Sequence, residues 1–395
     1  MTFDLKRYID QLGQLVAQPS VSCSDPQWDM GNKAVLDLLA TWLEARGFSV
    51  ELLPVPGRDD TTHRSGKYNL IATRGTGSGG LVLSGHSDTV PYDDNRWQSD
   101  PFTLTERDGK LYGLGATDMK GFFPAVLAAI DRLGTQALNQ PLIVLATADE
   151  ESSMSGARAL ADMGRPKARY AVIGEPTELR PVRMHKGIMM ESLRVRGASG
   201  HSSNPALGKN ALETMHTVLN ELLAFREELQ TRYRNPGFSV DVPTLNLGCI
   251  HGGDNPNRIC AECELHFDLR ALPGMDNEAL RHHLRQRLSP LAERSGTDIV
   301  LSELFEGVEP FEQPANSELV RACEQLTGHT AEAVAFATEA PFLKSLGMET
   351  LVLGPGSINQ AHQPDEFIDI GQLAPSVDIL TGLIQRFCVD APPKG

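Results

Sequence analysis

Long apolar runs are missing from this 395-residue chain. None approaches the ~20 residues needed to cross a bilayer. Met1 to Val16 mixes Asp4, Lys6, Arg7 and Asp10 into an amphipathic pattern and lacks the unbroken apolar stretch of a secretory signal. No membrane association and a cytoplasmic location are therefore expected. Positive charge is also scarce: 36 Lys and Arg stand against 51 Asp and Glu, a net charge of -15. Nucleic acids and anionic membranes are recognised through basic patches, so neither is an expected partner. The six cysteines (Cys23, Cys249, Cys260, Cys263, Cys323, Cys388) are scattered, consistent with reduced thiols. Cys260-x-x-Cys263 has the spacing of half a zinc ribbon, but no second pair exists. In a strand-like run a three-residue offset turns two side chains to opposite faces, so two ordinary thiols are expected. Low-complexity sequence is absent, and disorder is expected only in the tail around Pro392-Pro393.

Hydrophobic residues make up 41% of the chain, enough for a normal core, and its length exceeds what one core usually serves. Helices are expected at 4–16, at 31–46 (stopped by Gly47) and at 120–133. Short β-rich runs lie at 49–55, 68–74 and 81–84. The Gly-rich stretch Gly75–Gly80 precedes a strand and not a helix, so it reads as a hairpin turn and not a phosphate loop. Pro141–Ala148, Tyr170–Gly174 and Thr350–Gly354 are continuous apolar runs, as in strands buried on both faces. Their alternation with helices predicts an α/β domain with a mostly parallel central sheet. Between 183 and 309 the order becomes βαββαβ, a small antiparallel sheet with two helices on one side. The expected organisation is a first domain of residues 1–182 and 310–395, interrupted by an inserted α+β domain of residues 183–309.

Polar residues gather just beyond the ends of the buried strands. Leu81–Ser84 runs into Gly85-His86-Ser87-Asp88, and Leu142–Ala148 into Asp149-Glu150-Glu151. Ala171–Gly174 runs into Glu175, and Leu351–Gly354 into a Gly/Pro loop ending at His362. Asp118, ahead of the 120–133 helix, points to the same edge. Ligands of open α/β sheets bind outside the carboxyl ends of the strands. Histidine with carboxylate and no thiolate suits catalytic zinc, cobalt or manganese. Two histidines and three carboxylates exceed the roughly three protein ligands of one catalytic zinc, whereas two metals ~3.5–4 Å apart use all five. His86 and Asp88, two residues apart, share a face if extended, which lets the Asp88 carboxylate fix the His86 tautomer. Of Glu150 and Glu151, one is free to ligate and the other to act as general base. His63, His185, His216, His251, His266, His282, His283 and His329 are expected to be ordinary core or surface residues.

Five segments resemble the M20 family of dinuclear metallopeptidases and deacylases: Gly85-His86-Ser-Asp88-Thr-Val-Pro91, Gly115-Ala-Thr-Asp118-Met-Lys-Gly121, Thr147-Ala-Asp-Glu150-Glu151, Gly174-Glu175-Pro-Thr177 and Gly200-His201-Ser-Ser203. They occur in family order over nearly the whole chain. The resemblance implies that His86 and Glu175 hold one divalent ion, zinc or cobalt, and Glu151 and His362 the other. Asp118 bridges them, followed by a cis peptide to Met119. It implies Glu150 as general base, Asp88 as the orienting acid, and an inserted domain that serves as dimerisation and lid domain of a homodimer. His201 then stabilises the oxyanion in the partner subunit's site, while Asn257 and Arg258 hold the substrate. Asn257-Arg258-Ile-Cys260, Asp268–Gly274, Thr338-Glu339-Ala-Pro341, Leu353-Gly-Pro-Gly356 and Ala361–Glu366 are similar to the branch that hydrolyses N2-acetyl-L-ornithine. Succinyl-diaminopimelate, another N-acyl amino acid or a dipeptide are the alternative substrates. A catalytically silent metal-binding homologue is a rival from outside enzymology.

Overall fold

A computed structural model describes residues 3–56 and 66–391. His63 and the Pro392-Pro393 tail lie outside the described residues. The chain divides into two compact units. The first comprises residues 1–183, 313–332 and 338–395, and the second residues 184–312 and 333–337.

The first unit is built on a sheet whose strands run in the order Ser49–Pro54, Tyr68–Arg74, Leu142–Thr147, Leu81–His86, Tyr170–Pro176 and Glu349–Gly354. The last four are mutually parallel, and the first two extend one side of them through antiparallel pairings. Every residue of Leu81–His86, Leu142–Thr147 and Tyr170–Pro176 is buried, which is why these strands read as unbroken apolar runs. Helices Leu5–Val16, Lys33–Glu44, Phe122–Leu133 and Leu373–Ile384 share one apolar core with them. Asp4 caps the first helix by accepting from the Arg7 amide at 3.0 Å.

The Gly75–Gly80 segment departs from the hairpin reading. The strands it joins are not neighbours, because Leu142–Thr147 lies between them, antiparallel to one and parallel to the other. The segment crosses over the start of that middle strand. Gln140 Oε1 accepts from the Gly79 amide at 3.1 Å. At Gly80, with φ +94°, a Cβ would lie 2.1 Å from the Pro141 carbonyl oxygen. The glycines therefore serve close backbone passage, for which alternation and turn chemistry carry no strand order.

The second unit has a four-stranded antiparallel sheet ordered Thr244–Gly252, Glu262–Arg270, Met189–Arg196, Asp298–Glu303. Helices Ala211–Arg232 and Asn277–Ser295 bury Met215, Val218, Leu222, Phe225, Leu284 and Leu288 in its core. Cys260 and Cys263 both end in that core. The opposite-face expectation does not apply, since Cys260 precedes the strand, which begins at Glu262. All six cysteines are free. Among the described residues, no helix is long and apolar enough to cross a membrane.

Candidate metal centre and active site

Ligand-bearing segments are delivered to one edge of the first unit by the strands that precede them. His86 is the last residue of Leu81–His86, and Glu175 the penultimate residue of the strand Tyr170–Pro176. Glu151 follows Leu142–Thr147, and His362 follows Glu349–Gly354. The Asp118 loop reaches them because the next helix packs its first residues hard against the sheet. A Cβ on Gly174 would lie 2.2 Å from the Phe122 ring, and one on Gly85 would lie 2.7 Å from Met119 Cε. Glycine just before Glu175 and just before His86 thus lets the Asp118–Phe123 segment close on the strand ends. The Asp118–Met119 peptide is cis, as the resemblance implied.

Two groups of donor atoms share Asp118. One consists of His86, Asp118 and Glu175, all buried, and the other of Asp118, Glu151 and His362; within each group the donor atoms all lie within 4.8 Å of one another. On the first side His86 Nε2 is 3.0 Å from Asp118 Oδ1 and 4.0 Å from Glu175 Oε2. On the second, His362 Nε2 is 3.4 Å from Asp118 Oδ2 and 2.9 Å from Glu151 Oε2. The two oxygens of one carboxylate therefore face two separate histidines, the geometry of a bridging ligand.

Electrostatics point the same way. Burial pushes the carboxyls of Glu150 and Glu175 well above the usual range, and their negative neighbours push further. Burial and the Asp118 charge raise Glu151 to about 7. Burial alone would depress the His86 imidazolium, but hydrogen bonding to Asp118 and the charges of Glu175, Asp118 and Asp88 carry it well above its ordinary value. His362 is raised to about 10 by its contacts with Asp118 and Glu151. Glu151 Oε1 and Glu175 Oε1 are buried without a hydrogen-bond partner. Orphaned buried oxygens in a cluster of like charge are costly unless a cation faces them. Imidazole nitrogen and carboxylate oxygen are a donor set for divalent zinc, cobalt or manganese, so the residues present fit two such ions.

Asp88 differs from its expected role in one respect. The His86 Nδ1–H donates to the Asp88 backbone carbonyl at 3.0 Å, whereas the nearer carboxylate oxygen is 3.8 Å away. The strand ends at His86, so the extended geometry that would put the two side chains side by side does not continue. The tautomer is still fixed, leaving Nε2 toward Asp118. The Asp88 carboxylate instead accepts from the Glu151 amide at 3.1 Å and so holds the other ligand loop.

The turn carrying Glu150 and Glu151 is anchored through Asp149, which adopts φ +59°, a conformation aspartate tolerates better than most residues. Its carboxylate accepts from Ser22 and Ser155 at 2.9 Å each and pairs with Lys67 Nζ at 2.6 Å. Lys67 also meets Asp29 at 2.9 Å, and its side chain is only 2% exposed. Removing one partner of a buried ion pair costs about 3–5 kcal/mol because the other charge stays buried. Lys67→Met is thus expected to lower unfolding free energy by about that amount in urea titration; a loss under about 1 kcal/mol would show that the pair is not what anchors the turn. Nothing in the local sequence singles out Lys67, whose partners lie far along the chain. Two further acids have structural parts that their motifs did not disclose. Glu339 Oε2 accepts from Thr147 Oγ1 at 2.9 Å, and burial raises its carboxyl to about 7. Glu366 is buried beneath the Asp118 loop.

His201, Asn257 and Arg258 fall together in the second unit. His201 and Arg258 form an isolated antiparallel bridge, and the Asn257 carbonyl accepts from the Ser202 amide at 3.1 Å. His201 is exposed, with Nδ1 accepting from Ser203 Oγ at 2.8 Å. Arg258 is paired with Asp254 on the surface.

The model of peptidase family M20/M25/M40 matches residues 82–386. An acetylornithine deacetylase from Proteus mirabilis is 48% identical over 394 residues, covering 100% of both chains. One from Klebsiella pneumoniae is 48% identical over 388 residues, covering 98% of this chain and 100% of its own. Among solved structures, an M20-family metallo-carboxypeptidase from Sulfolobus solfataricus superposes with a TM-score of 0.74 at 18% identity, covering 96% of this chain and 98% of that one. With the family model spanning residues 82–386 and a full-length relative 48% identical, the chain belongs to peptidase family M20/M25/M40.

Proposed function

We propose that this chain hydrolyses N2-acetyl-L-ornithine to L-ornithine and acetate with two divalent cations, zinc or cobalt, and thereby serves arginine synthesis. The observation that carries the chemistry is Asp118, whose two oxygens face His86 and His362 at 3.0 and 3.4 Å. The acyl substrate is supported by the full-length likeness to two acetylornithine deacetylases and by the Thr338-Glu339-Ala-Pro341 segment.

His86 and Glu175 would hold one ion, Glu151 and His362 the other, with Asp118 between. Bound there, the ions supply Lewis-acid polarisation of the acyl carbonyl and lower the pKa of the attacking water. Glu150, which neither donor group includes, takes the proton from that water and passes it to the leaving amine. Asp88 keeps Glu151 in place through its amide. Arg258 offers its guanidinium to the substrate carboxylate, exchanging Asp254 for it. His201 and Asn257 complete the substrate contacts, with His201 supplied by a second copy of the chain. Homodimerisation through the second unit is part of this reading; the edge strand Thr244–Gly252 leaves Ile250 47% exposed there. Six free cysteines agree with a reducing cytoplasm.

The deciding measurement is kcat/KM on N2-acetyl-L-ornithine beside N-succinyl-diaminopimelate and a dipeptide at defined metal loading. The acetyl substrate is expected to lead by at least about tenfold. A lead for either competitor would move the chain to another branch of its family.

A further inference from the structure

Glu366 lies 248 to 251 residues from the backbone it touches. Its Oε2 accepts from the Gly115 amide at 2.9 Å. Its Oε1 accepts from the Thr117 and Asp118 amides at 2.8 and 3.0 Å. The side chain is buried, with the residue 2% exposed. Around it the two segments are zipped together. Phe367, Ile368 and Asp369 pair antiparallel with Tyr112, Leu111 and Lys110, and the Gly113 amide donates to the Glu366 carbonyl at 3.0 Å. Four residues before Glu366 stands His362, and the last amide in its grasp is that of Asp118 itself.

We infer that Glu366 is a positioning residue that ties the Asp118 loop to the His362 loop, so that the shared carboxylate and the second histidine hold one spacing for the metal pair. Three amides that would otherwise be unpaired in a buried loop find their acceptor in this one carboxylate. Loss of an acceptor leaves a buried N–H unsatisfied and frees the loop that carries Asp118. The inference rests on the dinuclear reading above.

The test uses the intact chain stripped of metal and titrated with Zn2+ by calorimetry, with Co2+ absorption as a second readout of ligand geometry. Glu366→Gln keeps the shape but turns an amide NH2 toward at least one N–H. It is expected to retain a native far-UV spectrum and to bind the ions about 10–100-fold more weakly. Its Co2+ spectrum should shift, and its kcat should recover at saturating metal with KM unchanged. Glu366→Asp, which keeps the charge on a shorter stem, should fall between Gln and the parent. Parental Zn2+ affinity and Co2+ spectrum in Glu366→Gln would overturn the inference, as would a fall in thermal stability with an unchanged metal titration. A parent chain that binds no metal would overturn the dinuclear reading first, which the same titration distinguishes.

Discussion

Stripping the enzyme with a chelator is expected to reduce hydrolysis to background, and adding Zn2+ or Co2+ to restore it. The carboxylates of Asp118, Glu151 and Glu175 are buried together with that of Glu150, and the cationic groups that shift them are His86 and His362. Without a divalent ion the site holds protons in its place: Glu151 stays protonated up to about 7 and His362 up to about 10. Metal must displace those protons, so affinity rises with pH. The sign follows from both groups: each binds a proton more tightly in the metal-free site than in free solution, and each must lose it to ligate. Zn2+ titration at pH 6 should therefore give a weaker affinity than at pH 8, with proton release visible as a buffer-dependent enthalpy. A second consequence is thermal. Metal at about 100 times its Kd adds about 2.7 kcal/mol to the stability of the folded chain, so the melting temperature should climb with metal concentration. Full turnover from protein shown by elemental analysis to be metal-free would remove the metal mechanism altogether.

Four of the five candidate ligands, His86, Glu151, Glu175 and His362, were legible in the sequence because each lies beyond a run of apolar residues that gives way to polar ones, whereas Asp118 stood out only by its place ahead of a helix. Burial on both faces leaves a parallel strand no alternation, so its end is unusually sharp in sequence. The same physics hid other features. Gly75–Gly80 carries strong turn chemistry, yet the strand that separates its neighbours, Leu142–Thr147, comes some sixty residues later, and local residues do not encode such insertion. Asp88 makes a different contact from the expected one, since the i,i+2 rule presumes an extended chain and the strand stops at His86. Glu366 and Glu339 stood inside family-like segments with no role attached. Glu366 accepts backbone amides and leaves no signature, because any sequence supplies such donors, whereas Glu339 accepts from the Thr147 hydroxyl, a partner 192 residues away. Lys67 was silent for the same reason: its partners, Asp29 and Asp149, are set by the fold.

Glu150 provides the sharpest separation of chemistry from metal binding. Glu150→Gln is expected to keep two metal ions per chain, because His86, Asp118, Glu175, Glu151 and His362 form both donor groups without it. The turn should hold its shape as well, being fixed by Asp149 through Ser22, Ser155 and Lys67. What the amide lacks is a basic oxygen to accept and return a proton. General acid–base catalysis by a positioned side chain is worth about 10²–10⁴-fold, so kcat should drop by that factor while KM changes little. That pattern is expected of a group whose contribution is made in the transition state and not on substrate binding. The acid limb of the pH–rate profile should go with it. Glu150→Asp, whose carboxylate is drawn back by one methylene, keeps the base but loses alignment, and its rate should lie between the parent and the amide. Turnover of Glu150→Gln within a few fold of the parent, at full metal occupancy, would move the base assignment to another carboxylate. Glu339 would be the first to test, since it is buried behind Thr147, carries a carboxyl raised to about 7 and exerts its charge on both Glu150 and Glu175.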